Sequence, residues 1–416
     1  MTSPEDLGAL RELLGEAGVE EHAPVEVDGA GVGVTLRPGD GAALAQTLAL
    51  LASRGLAALV RGGGTRLGFG NPPRRADVVL ATDRLRGVDV FEPAEGVCHV
   101  RAGTTLAELR AVVNPEGWDV PLDPPGTRST VGGTIAAAAI GPRAQAFGPP
   151  RDAVLGLEVA FAGGERARCG GRVVKNVTGY DLGKLYTGSF GTLAVIEAAW
   201  LRLRPLPQHV RCFEARPSDL AEACAGARAA ARLEGVRAAA LHAPGASGAE
   251  LSVAVELAGD ASGVERAAGW LEAELAAAEA PPEAVDRVRE RQGTLSAGAG
   301  LRFRIAALPS RLPALLAALD AAAAETLSYP GLRLVYAGFP LPVGGAERAV
   351  EEVFARVDAA VAAAEGSCVC ESAPTWAKPG REMYGDVAAL TPLFSALKAR
   401  FDPGGVLNPG RFAGGL

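Results

Sequence analysis

A run of three glycines directly after an apolar, strand-like segment, Arg61-Gly62-Gly63-Gly64-Thr65-Arg66-Leu67, is the first stretch whose residue types suit chemistry. Glycine lets the backbone approach a ligand closely and take up positive φ, so such a loop can turn several N–H groups toward a phosphate. Its spelling excludes two common phosphate loops. A P-loop needs Gly-Lys-Ser/Thr, which is absent, and a Rossmann fingerprint needs a third glycine where Leu67 stands. By itself the stretch is equally a tight turn. A second loop, Pro125-Gly126-Thr127-Arg128-Ser129-Thr130-Val131-Gly132-Gly133-Thr134, repeats its character, with hydroxyls and bare N–H groups suited to a large polar cofactor. A third carries Gly179, Gly183, Gly188 and Gly191 and leads into the strand-like LAVIE. Three such loops point to one extended ligand passing all of them.

The third loop also holds side chains that the chain otherwise avoids. The protein has four Lys, four Asn and five Tyr, and Lys175, Asn176, Tyr180, Lys184 and Tyr186 all fall between positions 175 and 186. Asn and Tyr offer directional hydrogen bonds, and Lys a compact charge. Two readings stand side by side. In one, the segment walls a cofactor pocket or docks a partner; in the other it is a surface loop, with Asp181 and Lys184 as a helical i, i+3 pair.

The elements that must position these loops follow from hydrophobic period and cap residues. Residues 32–60 read as strand, helix, strand, with Asp40 as N-cap and Gly55 closing the helix. Three short strands are expected from 77 to 103, a helix from 104 to 113, a Gly/Pro-rich loop from 121 to 145, and strands again at AVLGLEVAFAGGERARC and TLAVIEAAWLRLRP. Beyond Pro205-Leu-Pro207 the texture changes to Ala-rich helices alternating with strands, which predicts an open sheet carrying helices on one side. The expected division is a helical extension over 1–29, a cofactor domain of mixed α/β plus antiparallel sheet over 30–206, an α+β cap over 207–385, and a helix and tail over 386–416 returning to the first domain. The fold class is α+β. In the cap, Arg302, Arg304 and Arg333 either meet a carboxylate or form a solvated face.

Composition narrows the partners. A 416-residue chain with a net charge of -7 is expected to form two domains and not to bind nucleic acid. The acidic amino terminus lacks the pattern of a signal peptide, and no apolar run is long enough to span a bilayer, so a cytoplasmic protein is expected. Six scattered Cys and four separated His have no metal-ligand spacing; free thiols and no metal site are expected.

The motifs RGGGTRLGFG, PPGTRSTVGGTIAAA and VVKNVTGYDLGKLYTGSFGTLAVIE, in that order, resemble the FAD-binding domain of flavoproteins of the vanillyl-alcohol oxidase (PCMH) type, and FDPGGVLNPGRF is similar to the closing signature of that superfamily. RGGGTRLGFGN, GGTIAAAAIGPR and GGRVVKNVTGYDL are most similar to the smaller FAD-binding subunits of glycolate oxidase complexes. The resemblance implies a pyrophosphate loop of Arg61, Gly62, Gly63, Gly64, Thr65, Arg66 and Leu67. It implies that Thr130, Gly132, Gly133 and Thr134 run beside the ribityl chain and isoalloxazine, and that Pro125, Gly126 and Ala137 also bind the cofactor. Val195 and Ile196 would serve the adenine end through main-chain groups, and Asn408 and Arg411 would lie near the flavin face.

It also implies FAD as cofactor, a small 2-hydroxy acid as substrate, a larger FAD-binding catalytic subunit and an iron–sulfur subunit as partners, and membrane association only through partners. Members with covalent flavin carry His where this chain has Thr65, so non-covalent FAD is expected. The metal-binding His motif of the larger relatives is missing, since no His follows His242, and Phe190 stands where the large subunit has Glu. No catalytic residue is assigned. The alternatives are a flavin subunit that only relays electrons and a stand-alone alcohol or sugar-acid oxidase.

Overall fold

In the computed structural model, which describes residues 2–172, 180–245, 250–295, 300–342 and 346–416, the chain opens on helix α1 (Pro4–Leu14), where Ser3 and Asp6 form a capping box. It then turns directly into strands β1 (Val19–Val27) and β2 (Ala30–Leu36). Asp28 and Gly29 join them with φ of 48° and 87°, the two positive values that a two-residue type I′ hairpin requires. The helical extension expected over 1–29 is therefore corrected. Only its first half is helix, and Asp-Gly between two β-prone segments was the hairpin signal.

Helix α2 (Gly41–Ser53), capped by the Asp40 carboxylate on the Ala43 N–H at 2.8 Å, buries Leu44, Leu48 and Leu51 against this sheet. Strands β3 (Ala58–Arg61) and β4 (Val78–Ala81) complete it in the order β1-β2-β4-β3, with β1 antiparallel to β2 and the other pairs parallel. There follow β5 (Val88–Glu92), β6 (Val97–Arg101), α3 (Leu106–Val113) and β7 (Trp118–Asp119). The stretch expected to be loop contains short helices α4 (Val131–Ala136) and α5 (Ala144–Phe147). Next come α6 (Pro150–Ala153), β8 (Val154–Ala160), β9 (Arg166–Gly170), α7 (Leu182–Tyr186), β10 (Val195–Arg202) and β11 (Arg204–Pro205). A second, antiparallel sheet runs β5-β6-β10-β8-β9, and β7 pairs with β11.

The rest of the strands are β12 (His209–Ala215), β13 (Val236–Ala243), β14 (Ser252–Gly259), β15 (Ala278–Ala280), β16 (Leu301–Ala306), β17 (Glu325–Tyr329), β18 (Leu334–Phe339) and β19 (Ser367–Ser372). They form one antiparallel sheet in the order β15-β12-β14-β13-β17-β18-β16-β19. The helices between them are α8 (Leu220–Ala230), α9 (Ala261–Leu275), α10 (Ala284–Thr294), α11 (Leu312–Ala321) and α12 (Ala346–Ala363), and α13 (Thr391–Phe401) follows the last strand. Helices lie on both faces, not on one. Val285 of α10 packs on Ala238 and Ala254, whereas α8 and α9 lie over Val253, which points the other way. The Ala-rich segments after α9 and α11 end as strands: β15 pairs with β12 at the edge of the sheet, and β17 is inserted between β13 and β18.

The chain divides into two compact units: Met1–Ala139, Gly148–Leu206 and Lys378–Leu416 make the first; Ile140–Phe147 and Pro207–Ala377 make the second. In the second unit, Arg143 is a clamp. Its guanidinium grips the buried Glu256 carboxylate at 2.7 Å and Asp286 at 2.5 Å, which fixes residues 140–147 there. Arg302 and Arg304 face the buried Glu371 at 3.4 and 3.6 Å, so these strand arginines have an internal partner. All six Cys are free. Among the described residues no three His, Cys, Asp or Glu gather as a metal site, and no helix is long and apolar enough to cross a membrane.

Candidate cofactor cleft

Strand β3 delivers its last residue, Arg61, to the mouth of a cleft in the first unit that encloses about 700 Å³, part of it open to solvent. The glycine loop forms one wall. No main-chain N–H at positions 62–65 has an acceptor among the described residues, so four donors stand unengaged in residues that line the cleft. Gly63 is required by packing, since a Cβ there would sit 1.8 Å from the Arg128 carbonyl oxygen. Gly64 is required by its backbone, with φ at 75°. The half-buried Arg61 guanidinium has its pKa held down by burial first and then by the neighbouring Arg37. Neither Arg61 nor the exposed Arg128 makes a side-chain hydrogen bond or ion pair among the described residues; the Arg128 Nη2 lies 4.0 Å from where a Gly64 Cβ would be. Unengaged N–H groups beside unpaired guanidiniums, with no acidic side chain lining the cleft, suit an anion rich in oxygens.

The carbonyls of the same loop point elsewhere. Arg411, 7% exposed, donates to the Leu67 and Phe69 carbonyls and pairs with Asp28 at 2.9 Å. Lys378, 1% exposed, donates to the Gly68 carbonyl at 2.6 Å and reaches the other Asp28 oxygen at 2.8 Å. Asn408 accepts from the Val60 N–H at 2.9 Å and donates to the Phe190 carbonyl at 2.7 Å. Asn408 and Arg411 thus line the cleft, but with polar atoms already engaged in holding it together.

The second glycine loop is a wall of a different kind. Val131, Gly132 and Thr134 give their N–H groups to the carbonyls of Thr104, Ala102 and Thr130, and Gly133 gives its own to the Thr130 hydroxyl. Gly132 is small because α4 packs on Ala102, whose Cβ would lie 2.6 Å from an added Cβ. Thr130, Gly133, Thr134 and Ala137 line the cleft; Pro125, Gly126 and Gly132 do not, although Gly126 abuts the Thr65 methyl. Val195 and Ile196 are not at the cleft either. They are buried in β10, in register with Ala160 and Val159 of β8.

Of the scarce letters, Lys175 and Asn176 lie outside the described residues. Tyr180 is 95% exposed. Lys184 pairs with Asp181 at 3.1 Å, as the surface reading expects. Tyr186 is buried against Phe161 and Phe401 with no partner for its hydroxyl among the described residues, and burial pushes its pKa up to about 12. None of these three lines the cleft. Three residues that do shape it were not among the expected cofactor-binding residues: Arg128, Phe190 and Lys378. Phe190, at φ 54°, stacks on Phe69 with ring centroids 4.6 Å apart and lines the cleft. For Lys378 a signal existed, since it is one of only four Lys.

Comparison with known proteins bears on what the cleft holds. Residues 32–170 match the family described as FAD binding domain. A D-lactate dehydrogenase of Archaeoglobus fulgidus is 36% identical over 172 residues, 41% of this chain and 39% of that protein. The glycolate oxidase subunit GlcE of Escherichia coli K12 is 38% identical over 125 residues, 30% of this chain and 36% of that one. The matched segments thus span well under half of these relatives. In fold, p-cresol methylhydroxylase superposes with a TM-score of 0.74 at 15% identity, covering 98% of this chain and 96% of that one. An alkyldihydroxyacetonephosphate synthase gives 0.75 at 14% identity, covering 98% of this chain and 86% of that one. The free N–H groups, the two guanidiniums and the lack of lining carboxylates fit the diphosphate of such a cofactor, residues 32–170 match an FAD binding domain, and the fold is that shared with p-cresol methylhydroxylase.

Proposed function

We infer that the chain is a non-covalent FAD-binding subunit of a multi-subunit 2-hydroxy-acid oxidase or dehydrogenase, with glycolate as the favoured substrate. In this reading the N–H groups of positions 62–65, with Arg61 and Arg128, hold the diphosphate, and Thr134, Ala137 and Phe190 line the cleft beyond it. Bound FAD would supply hydride acceptance and one-electron release toward an iron–sulfur partner. Thr65, exposed at the loop where covalent members have His, leaves no side chain there to tether the flavin.

The observation that carries the reading is the lining of the cleft. It offers Arg, hydroxyl and main-chain donors, and among its residues no His, Asp, Glu, Lys, Cys or Tyr. Oxidising a 2-hydroxy acid requires a group to take the hydroxyl proton, a contribution of roughly 10²–10⁴ in rate. The cleft as lined holds a flavin but has no such group of its own, which supports sharing the chemistry with a larger subunit. The same lining favours, as a second reading, a flavin subunit that only relays electrons. Purifying the chain alone tests this. FAD is expected in the supernatant after acid precipitation, with little bleaching by glycolate, lactate or 2-hydroxyglutarate. Rapid bleaching by any of them would overturn the reading, and flavin remaining in the pellet would overturn the non-covalent attachment.

A further inference from the structure

The second unit has a hollow of its own, about 1070 Å³ with part of it open to solvent, between α8 and α9. Its floor is built of small residues, among them Ala215, Ala223 and Gly226, and the half-buried Trp270 forms a wall. Gly226 is small because a Cβ there would lie 2.6 Å from the Leu275 side chain, where the two helices meet. Charge is left over at the rim. Glu222 and Glu274 line the hollow, both exposed, and neither has a cation within ion-pair distance among the described residues. Arg216 also lines it, but faces Glu214 at 3.4 Å and Glu250 at 2.8 Å, so the rim stays negative. A small-residue floor, an indole wall and free carboxylates suit an extended segment that brings arginines and an apolar side chain.

The chain itself carries such a segment. Arg202, Arg204, Pro205 and Leu206 are exposed, and neither arginine makes a side-chain hydrogen bond or ion pair among the described residues. Other exposed apolar side chains lack free cations beside them. Arg211 next to Val210 is held by Glu265 and Glu279, Arg311 near Leu308 by Glu365, and Lys184 near Tyr180 by Asp181. The segment is also ordered in advance. Arg204 and Pro205 pair with Asp119 and Trp118 of β7, and the Leu206 N–H donates to the Gly117 carbonyl at 2.9 Å. Prolines at 205 and 207 fix φ on either side of Leu206. A segment already held extended loses little conformational freedom on docking.

We propose that the hollow between α8 and α9 receives residues 202–207 of a second copy of this chain. In a two-fold pair the contact is made twice, each copy giving its segment and accepting its partner's. The proposal goes beyond the flavin reading and does not depend on it. Sedimentation of the full chain tests it, with two variants at exposed positions, Arg202→Glu/Arg204→Glu and Glu222→Arg/Glu274→Arg. The unaltered protein should form a dimer that loosens as salt rises. Each variant alone should raise the dissociation constant at least tenfold with flavin content unchanged. An equimolar mixture of the two should recover the dimer, because the reversed segment then meets the reversed rim and one unaltered contact is kept. Leu206→Ser leaves every charge in place and should weaken the dimer as well. A monomeric unaltered protein, a dimer indifferent to the reversals or to Leu206→Ser, or two weakened variants that do not pair when mixed would overturn the proposal. None of these results touches the flavin reading, which fails separately if the chain purifies without FAD.

Discussion

The loop after β3 and the loop leading into α4 are spelled alike, with glycine, threonine and arginine in each, yet their main-chain groups have opposite fates. In the second, every N–H from Val131 to Thr134 is taken by the protein itself. In the first, buried Lys378 and Arg411 hold the carbonyls of residues 67–69, while the N–H groups of 62–65 are left over. Glycine content alone does not separate a wall from a binding loop; the account of donors and acceptors does.

The contrast breaks most visibly if its anchor is removed. Asp28→Ala leaves Lys378 and Arg411 buried without their carboxylate, which should cost about 3–5 kcal/mol and take flavin content down with it. Thermal unfolding and bound flavin, measured together, check this; a variant as stable as its parent would show that the loop is held otherwise. Next come the glycines. Gly63→Ala and Gly132→Ala both overpack, each at about 1–3 kcal/mol. Only Gly63→Ala should also weaken FAD binding in the folded fraction, and equal flavin affinity in the two would erase the distinction between the loops. An Asp at Gly63 would confound packing with charge, so the cleaner electrostatic probe is Arg128→Ala. It should leave the melting temperature alone and weaken FAD binding by about 1.5–3 kcal/mol, the range for a charge-assisted hydrogen bond.

The smallest effect belongs to the third glycine loop. Tyr186→Phe removes a buried hydroxyl that has no partner among the described residues, and should stabilise the protein by about 1 kcal/mol without changing flavin content. The folded pKa of Tyr186 is raised from 10.0 to about 12, so its proton is held more tightly in the native state. Its contribution is complete below pH 10 and is lost as the pH climbs toward 12, and the variant should lack that part of the alkaline decline.

Much of this was legible in residues taken one at a time. The glycines after β3, the Asp40 cap and the rhythm of short strands up to β10 announce themselves by local rules. Arg128 did not, because Arg is this chain's default cation and its position over the loop depends on a fold-level approach of two segments. Gly132 was assigned to the flavin, whereas its partner is Ala102, thirty positions upstream on another element. The eight-stranded sheet pairs β13 with β17 and β16 with both β18 and β19, and no periodicity encodes that order. The four Lys teach a further point. Lys378 and Lys398 each hold two backbone carbonyls and one carboxylate, a threefold demand that a compact ammonium meets and a planar guanidinium does not.

The tail that seals the cleft bears on how the protein is made. Ala58 gives its N–H to Val406 at 2.7 Å, Val60 gives its own to Asn408 across 348 positions, and Arg411 reaches Leu67 across 344. While a ribosome is still translating residues 207–377, β3 has a bare edge and the glycine loop has no cations beneath it. Such separations make closure slow, and an open strand edge invites pairing with other chains. The second unit is thus synthesised whole before the first can finish, which reverses the usual order from the amino terminus. The loop gains its cations only when Lys378 and Arg411 have been made and packed beneath it, so a chain truncated before residue 402 is expected to bind no flavin.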